Sequence, residues 1–429
     1  MDDFYDDHYT TPRVKLPQII KVSNSMLSEM LKSITKDKIE LPIQYNEPLS
    51  MMQKICERFQ YAYILNTASK NKNKHFQIAH IAAYMMGEVS LNINRILKPF
   101  NPILGETYEY YDNESKFRFF SEQVSHHPPI TAYISESEEF VVFGDTRGKS
   151  KFKMFKGAME IVFTSKTHVI FKSTNEHYSY NKPICFLKGL IMGKPRFDFA
   201  NEIQIFNHNT EEYLNLEFFE EGKKNCPNGY VEGKMYNKKK ELKYFLKGSW
   251  QSALYLIEIK NNDEKEFRNI DFNFLEKNSI KMGNMEENIN SNNNNVNVVC
   301  YEIWRIHDDD FIKNFDENDY KISSYACNLN NINDHIATVI PKTDSRFRPD
   351  QRALENQNLV LAGKEKIRIE EKQRKRHKIF EENKIKYEPK YFNEVLDTYT
   401  NENVYLYKGD YWKDRIEGKF EDVYQIFYD

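Results

Sequence analysis

The chain has 429 residues, enough for one large hydrophobic core or two ordinary ones. Lys plus Arg total 61 and Asp plus Glu 64, so the net charge of -3 excludes a chain built mainly to coat nucleic acid. A 40% hydrophobic and 14% aromatic content with only 15 Gly and 14 Pro excludes disordered, linker-like and collagen-like chains and favours sheet.

Cys56, Cys185, Cys226, Cys300 and Cys327 are scattered, with no CxxC pair. Reduced thiols fit this spacing better than a disulfide framework or a zinc knuckle. The start, Met1-Asp2-Asp3-Phe4-Tyr5-Asp6-Asp7, is acidic where a signal peptide is basic. No apolar run approaches the roughly 18 residues of a spanning helix. The expectation is a soluble, cytoplasmic protein, and any work on membranes would be done from outside.

Residues 1–15 read as an acidic tail. From Ile19 the apolar positions Ile19, Val22, Met26, Met30 and Ile34 step by three and four, which places them on one helical face. Leu49, Met52, Ile55, Cys56, Phe59 and Tyr63 predict a second helix, with Asn46 as N-cap and Pro48 in the first turn. A third helix is predicted from Phe76 to Ser90. After Pro99 the texture changes to short aromatic or β-branched runs separated by turn signals. They run from Tyr108–Tyr111 through Phe117–Phe120, Ile130–Ile134 and Phe140–Phe143 to Tyr230–Tyr236, Leu242–Leu246 and Ala253–Ile259. That spacing predicts an antiparallel sandwich or barrel. Residues 284–297 hold eight asparagines, and 260–299 reads as a low-complexity insertion loop. Strand resumes at Val298–Arg305. Lys364–Lys386, with ten Lys/Arg, five Glu and no Gly or Pro, predicts a mostly exposed helix. It would be about 35 Å long at 1.5 Å per residue.

Several motifs fail on inspection. Gly144-Asp145-Thr146-Arg147-Gly148-Lys149-Ser150 has three residues between its glycines where a phosphate-binding loop needs four, and strand rather than helix follows. No hydrolase elbow, zinc-protease or kinase motif is present. A metal pair at His126-His127 is disfavoured, because neighbours in extended chain point opposite ways and no third ligand follows at a useful spacing. Neither a metal nor a cofactor is expected.

Two segments place polar groups between prolines, Lys98-Pro99-Phe100-Asn101-Pro102-Ile103-Leu104-Gly105-Glu106 and Glu122-Gln123-Val124-Ser125-His126-His127-Pro128-Pro129. Proline fixes its own φ and biases its predecessor to extended backbone. Two histidines, a lysine and an amide so held would suit a phosphate ester. A proline-rich bend with structural histidines would produce the same residues.

Glu122–Pro129 resembles the EQVSHHPP signature of the oxysterol-binding-protein-related family, and Lys98–Glu106 resembles its KPxNPxLGE segment. Asn46–Met51, Thr343–Arg352, Glu370–Arg374 and Tyr407–Trp412 are similar to further family segments, in the same order. The resemblance implies a mainly β fold: an incomplete antiparallel β-barrel around a lipid tunnel, with N-terminal helices forming a lid and a long C-terminal basic helix. It implies one lipid-binding domain over 16–429, with 16–45 as the lid region and Ile19, Val22, Met26, Met30 and Ile34 as its apolar stripe. It implies that Lys98, Asn101, His126, His127, Lys366, Glu370 and Arg374 bind the headgroup of phosphatidylinositol 4-phosphate. Positions 366, 370 and 374 are four apart and form one helical stripe. The second lipid is a sterol or phosphatidylserine, with sterol favoured by the likeness of Asn46–Met51 to the sterol-binding branch. The expected function is non-enzymatic transfer, exchanging the two lipids between membranes from a peripheral position. A lipid-dependent sensor or scaffold stays open, as does a phosphoesterase using the histidines, although no third group is evident to orient a nucleophilic histidine. Targeting modules of longer members are expected to be absent. The acidic start is a partial likeness to a motif that docks on an endoplasmic-reticulum receptor.

Overall fold

The computed structural model describes residue 16 and residues 42–153, 157–190, 193–222, 227–281, 297–306, 319–420 and 424–428. The acidic tail, the predicted lid residues Ile19, Val22, Met26, Met30 and Ile34, and nearly all of the Asn-rich run lie outside these.

Alternating apolar and polar side chains build the main element, a 16-stranded sheet. Tyr213–Phe218, for example, buries Leu214, Leu216 and Phe218 and turns Asn215 and Glu217 outward. The sheet's path begins at Ile280–Lys281 and Val298–Arg305 and proceeds through Ala253–Ile259 and the three strands before it. It then crosses Arg196–Asn207, Glu176–Asn181 and Lys166–Phe171 to end at Phe117–His126 and Thr107–Asp112. Neighbours are antiparallel except for Ile280–Lys281 on Val298–Arg305. The two end strands do not pair, so the barrel is incomplete, as the resemblance implied. The rejected phosphate-loop segment joins Phe140–Asp145, which pairs with Pro129–Ser137 and Lys166–Phe171, to Gly148–Lys153, which pairs with Ala158–Phe163, so strand and not helix follows it.

The helix Lys74–Ser90 is buried on nearly every side, as expected of a segment with an apolar face this wide. It joins Leu214, Leu216, Leu254 and Tyr301 in the main core. One part of this interior is charged. Arg58 pairs with Glu88 at 3.2 Å, Lys182 meets the same Glu88 oxygen at 3.2 Å, and the guanidinium lies 4.1 Å from the Tyr133 ring centre.

Three expectations are corrected. Asn46 is not an N-cap: Asn46–Ser50 is a strand parallel to Lys98–Phe100, and Ser50 caps the helix Met51–Glu57 through a capping box with Gln53. Pairing with a distant strand outweighs the local cap. Within 260–299, Glu264–Asn269 and Phe272–Asn278 are helices, capped by Asp263 and Asp271 and anchored by buried Phe267 and Leu275. The basic helix spans Leu359–Glu382, starting earlier because Asn358 caps it.

Candidate functional site

The Lys98–Phe100 strand delivers Lys98, and the following bend delivers Asn101. What fixes the bend is a buried carboxylate. Glu106 accepts from the Ile103 amide (2.8 Å), the Ser345 hydroxyl (2.6 Å) and Arg348 (2.8 Å). The bend then pairs back onto the signature strand, Gly105 N–H to the Gln123 carbonyl at 3.0 Å and Gln123 N–H to the Glu106 carbonyl at 2.8 Å. Gly105 has φ +83°, and a Cβ there would sit 3.0 Å from the Tyr387 Oη, so glycine is required.

Within the signature, the residues before the histidines build structure. Buried Glu122 accepts from the amides of Lys390 and Tyr391, both at 2.8 Å. His126 ends the strand and pairs with Pro129, which puts His127 in the turn. The chain is therefore not extended between the two histidines. Contrary to the sequence argument, their rings converge at 4.8 Å between centres.

The helix Leu359–Glu382 is anchored by Ala362 among Phe100 and Leu354, and by Ile369 against Ile103 and Phe427. The neighbouring stripe of Lys366, Glu370 and Arg374 lines the same cavity as the bend and the histidines. Lys366 donates to the Asn46 Oδ1 at 3.2 Å, and Glu370 pairs with Arg374 at 3.6 Å.

Lys98, Asn101, His126, His127, Lys366, Glu370 and Arg374 all line one cavity of about 660 Å³, a size typical of small-molecule sites. Five Lys/Arg side chains face it (Lys98, Arg348, Lys366, Arg374 and Lys378) against two carboxylates, Glu370 and Glu381. Lys98 opens onto the cavity yet is ringed by protein. This poor solvation lowers its ammonium pKa, Lys366 lowers it further, and Glu370 opposes both. Burial, with His127 and His377 beside it, pulls His126 down to about 4. The cavity lining thus penalises positive charge, and an anion beside it would relieve that penalty. Among the described residues no cluster of His, Cys, Asp and Glu could hold a metal ion.

Sequence reasoning missed several cavity residues. Asn46 carried a different assignment. Arg348 was visible only as part of a matching segment. Gln373 was likewise visible only as part of a matching segment, whereas His377 and Lys378 extend the predicted stripe by a further helical turn, and continuing the 366, 370, 374 spacing toward the C-terminus would have found them. The His377 ring lies 4.8 Å from that of His127.

The sequence matches the oxysterol-binding protein family over residues 25–416. It is 30% identical over 425 residues to Oxysterol-binding protein homolog 1 of Saccharomyces cerevisiae, covering 98% of this chain and 34% of that protein. It is 32% identical over 406 residues to human Oxysterol-binding protein-related protein 6, covering 94% of this chain and 39% of that one. The chain therefore spans a little over a third of these relatives' length. The Osh1 ORD domain, solved in complex with cholesterol, superposes with a TM-score of 0.84 at 29% identity, over 99% of this chain and 95% of that one. The Osh3 ORD of Saccharomyces cerevisiae, solved in complex with PI(4)P, gives 0.76 at 25% identity over 98% and 100%. The open sheet with its attached helices is the fold of the lipid-binding domain solved for these relatives. The chain belongs to the oxysterol-binding protein family. None of its described helices is long and apolar enough to cross a membrane.

Proposed function

We propose that this chain is a non-enzymatic lipid carrier that holds phosphatidylinositol 4-phosphate by its headgroup in the cation-rich cavity. It exchanges this lipid for a second one, a sterol, working between membranes from the cytoplasm. One observation carries the reading: cationic, amide and imidazole side chains from the bend at 98–101, from 126–127 and from the helix at 366–374 converge on one cavity. Lysine and arginine supply charge-assisted bonds to phosphate, Asn101 a neutral donor, and Glu370 an acceptor for ring hydroxyls. The relatives solved with PI(4)P, cholesterol and ergosterol support the choice of both lipids.

The test is transfer of phosphatidylinositol 4-phosphate between liposomes, with sterol or phosphatidylserine in the opposing set. The parent chain is expected to move the phosphoinositide, faster against sterol, and His126→Ala/His127→Ala to lose that movement. Equal transfer by both proteins would overturn the site. Release of inorganic phosphate from the lipid would overturn the carrier reading in favour of an esterase.

A further inference from the structure

The cavity-facing stripe of Leu359–Glu382 contains one residue unlike its neighbours. Gln373 lines the cavity and is only 7% exposed, yet neither its Nε2 nor its Oε1 bonds to another group of the protein. Around it, Glu370 and Arg374 pair at 3.6 Å and His377 and Glu381 at 3.3 Å. A buried amide with both ends unpaired is among the costlier arrangements in a folded protein. Packing does not call for it, since Ile369 and Ala362 already anchor the helix, and a Leu or Met of similar size would bring no polar penalty.

An amide presents a donor beside an acceptor. That is the complement of two adjacent hydroxyls, one donating to Oε1 and the next accepting from Nε2. We propose that Gln373 is a binding residue of this cavity that reads ring hydroxyls of a polyol phosphate. The inference rests on the headgroup reading above and adds discrimination to it. Lysine and arginine attract any phosphate. A buried amide rejects a ligand lacking the hydroxyls, because such a ligand leaves it unpaired.

The experiment compares the full chain with Gln373→Leu and Gln373→Met. Affinities for inositol 1,4-bisphosphate and for inorganic phosphate are measured by calorimetry. Extraction of lipid is measured from phosphatidylcholine vesicles containing phosphatidylinositol 4-phosphate, and Tm on the ligand-free proteins. Both variants are expected to bind inositol 1,4-bisphosphate about tenfold more weakly and to extract less lipid. Their phosphate affinity should stay within about twofold and their Tm should not fall, since an unpaired buried amide has been removed. Unchanged inositol bisphosphate affinity, or equal loss for both ligands, overturns the proposal. So does a lower Tm with unchanged affinity, which assigns Gln373 to the fold alone. Selective loss of the soluble headgroup in a chain that extracts no lipid supports Gln373 and overturns the lipid reading. A parent chain that takes neither inositol bisphosphate nor lipid overturns both.

Discussion

Arg348 donates to the backbone carbonyl of Asn101 at 2.8 Å while the same nitrogen holds Glu106 at 2.8 Å and its other two nitrogens hold Asp350 at 2.8 and 3.1 Å. One buried guanidinium thus ties the 343–352 segment to the bend that presents Lys98 and Asn101. Removing it strands two buried carboxylates. Arg348→Ala is expected to cost about 3–5 kcal/mol of folding stability, read from chemical denaturation. A loss below about 1 kcal/mol, the range of an exposed ion pair, would show that the clamp does not hold the bend.

Under the proposed function, His126 should give headgroup binding a pH dependence. Burial, with His127 and His377 beside it, holds it at about 4, so it is neutral at pH 7. A bound phosphate favours the imidazolium and raises that value. The affinity so gained is complete only below about 4 and is lost progressively as pH rises from there through the bound-state pKa. Affinity for phosphatidylinositol 4-phosphate is therefore expected to fall as pH rises from about 4 toward the bound-state value, and His126→Gln to flatten the profile. An equal slope in both proteins would place the proton elsewhere.

How much of this was legible beforehand varies with the physics. Strands with alternating faces were readable, and Tyr230–Tyr236 and Ala253–Ile259 match to the residue. Glu176–Asn181 was not, because its polar residues are buried through distant partners: Glu176 on Asn207, His177 on His168 and Ser179 on His208. The headgroup candidates were legible through the family likeness, since the residues alone fit a proline-rich bend equally well. The convergence of His126 and His127 was hidden because it depends on where the strand ends. Asn46 was misread because a cap is a local signal and its true partners, Lys98 and Lys366, are 52 and 320 residues away.

Acid should destabilise the fold before it titrates ordinary carboxylates. Burial first lowers His168 to about 3 and His177 to about 4, with His177 the next cause for His168 and His208 the next for His177; His168 Nδ1 lies 3.0 Å from His177 Nε2. Burial alone brings His80 to about 4. The unfolded chain binds these protons near 6.5, so their contribution is complete above that value and is lost as pH falls from 6.5 toward 4. Buried Glu106, Glu109 and Glu122, whose pKa values burial raises, act in the opposite sense above 4.5. The histidine part is isolated by comparing denaturation midpoints of the parent and His168→Gln/His177→Gln. The parent's midpoint is expected to drop more steeply between pH 6.5 and 4.5. Parallel profiles would rule the pair out as the source.

Asn46 joins the two lysines of the site. Its Nδ2 donates to the Lys98 carbonyl at 3.1 Å and its Oδ1 accepts from Lys366 Nζ at 3.2 Å, so one amide sets the bend's first residue against the helix. Alanine removes both bonds but leaves the lysines charged, so headgroup affinity should fall by about fivefold, the worth of one ordinary hydrogen bond. Aspartate keeps an acceptor for Lys366 but loses the donor and adds a negative charge where the phosphate must come. Its effect should therefore exceed that of alanine. The expected order of affinity for inositol 1,4-bisphosphate is parent, Asn46→Ala, Asn46→Asp, with the gap between the two variants shrinking at high salt as the added charge is screened. An aspartate variant that binds as tightly as the parent would mean that the phosphate lies beyond the reach of this residue, and that Lys366 and Lys98 act on it without being aligned by Asn46.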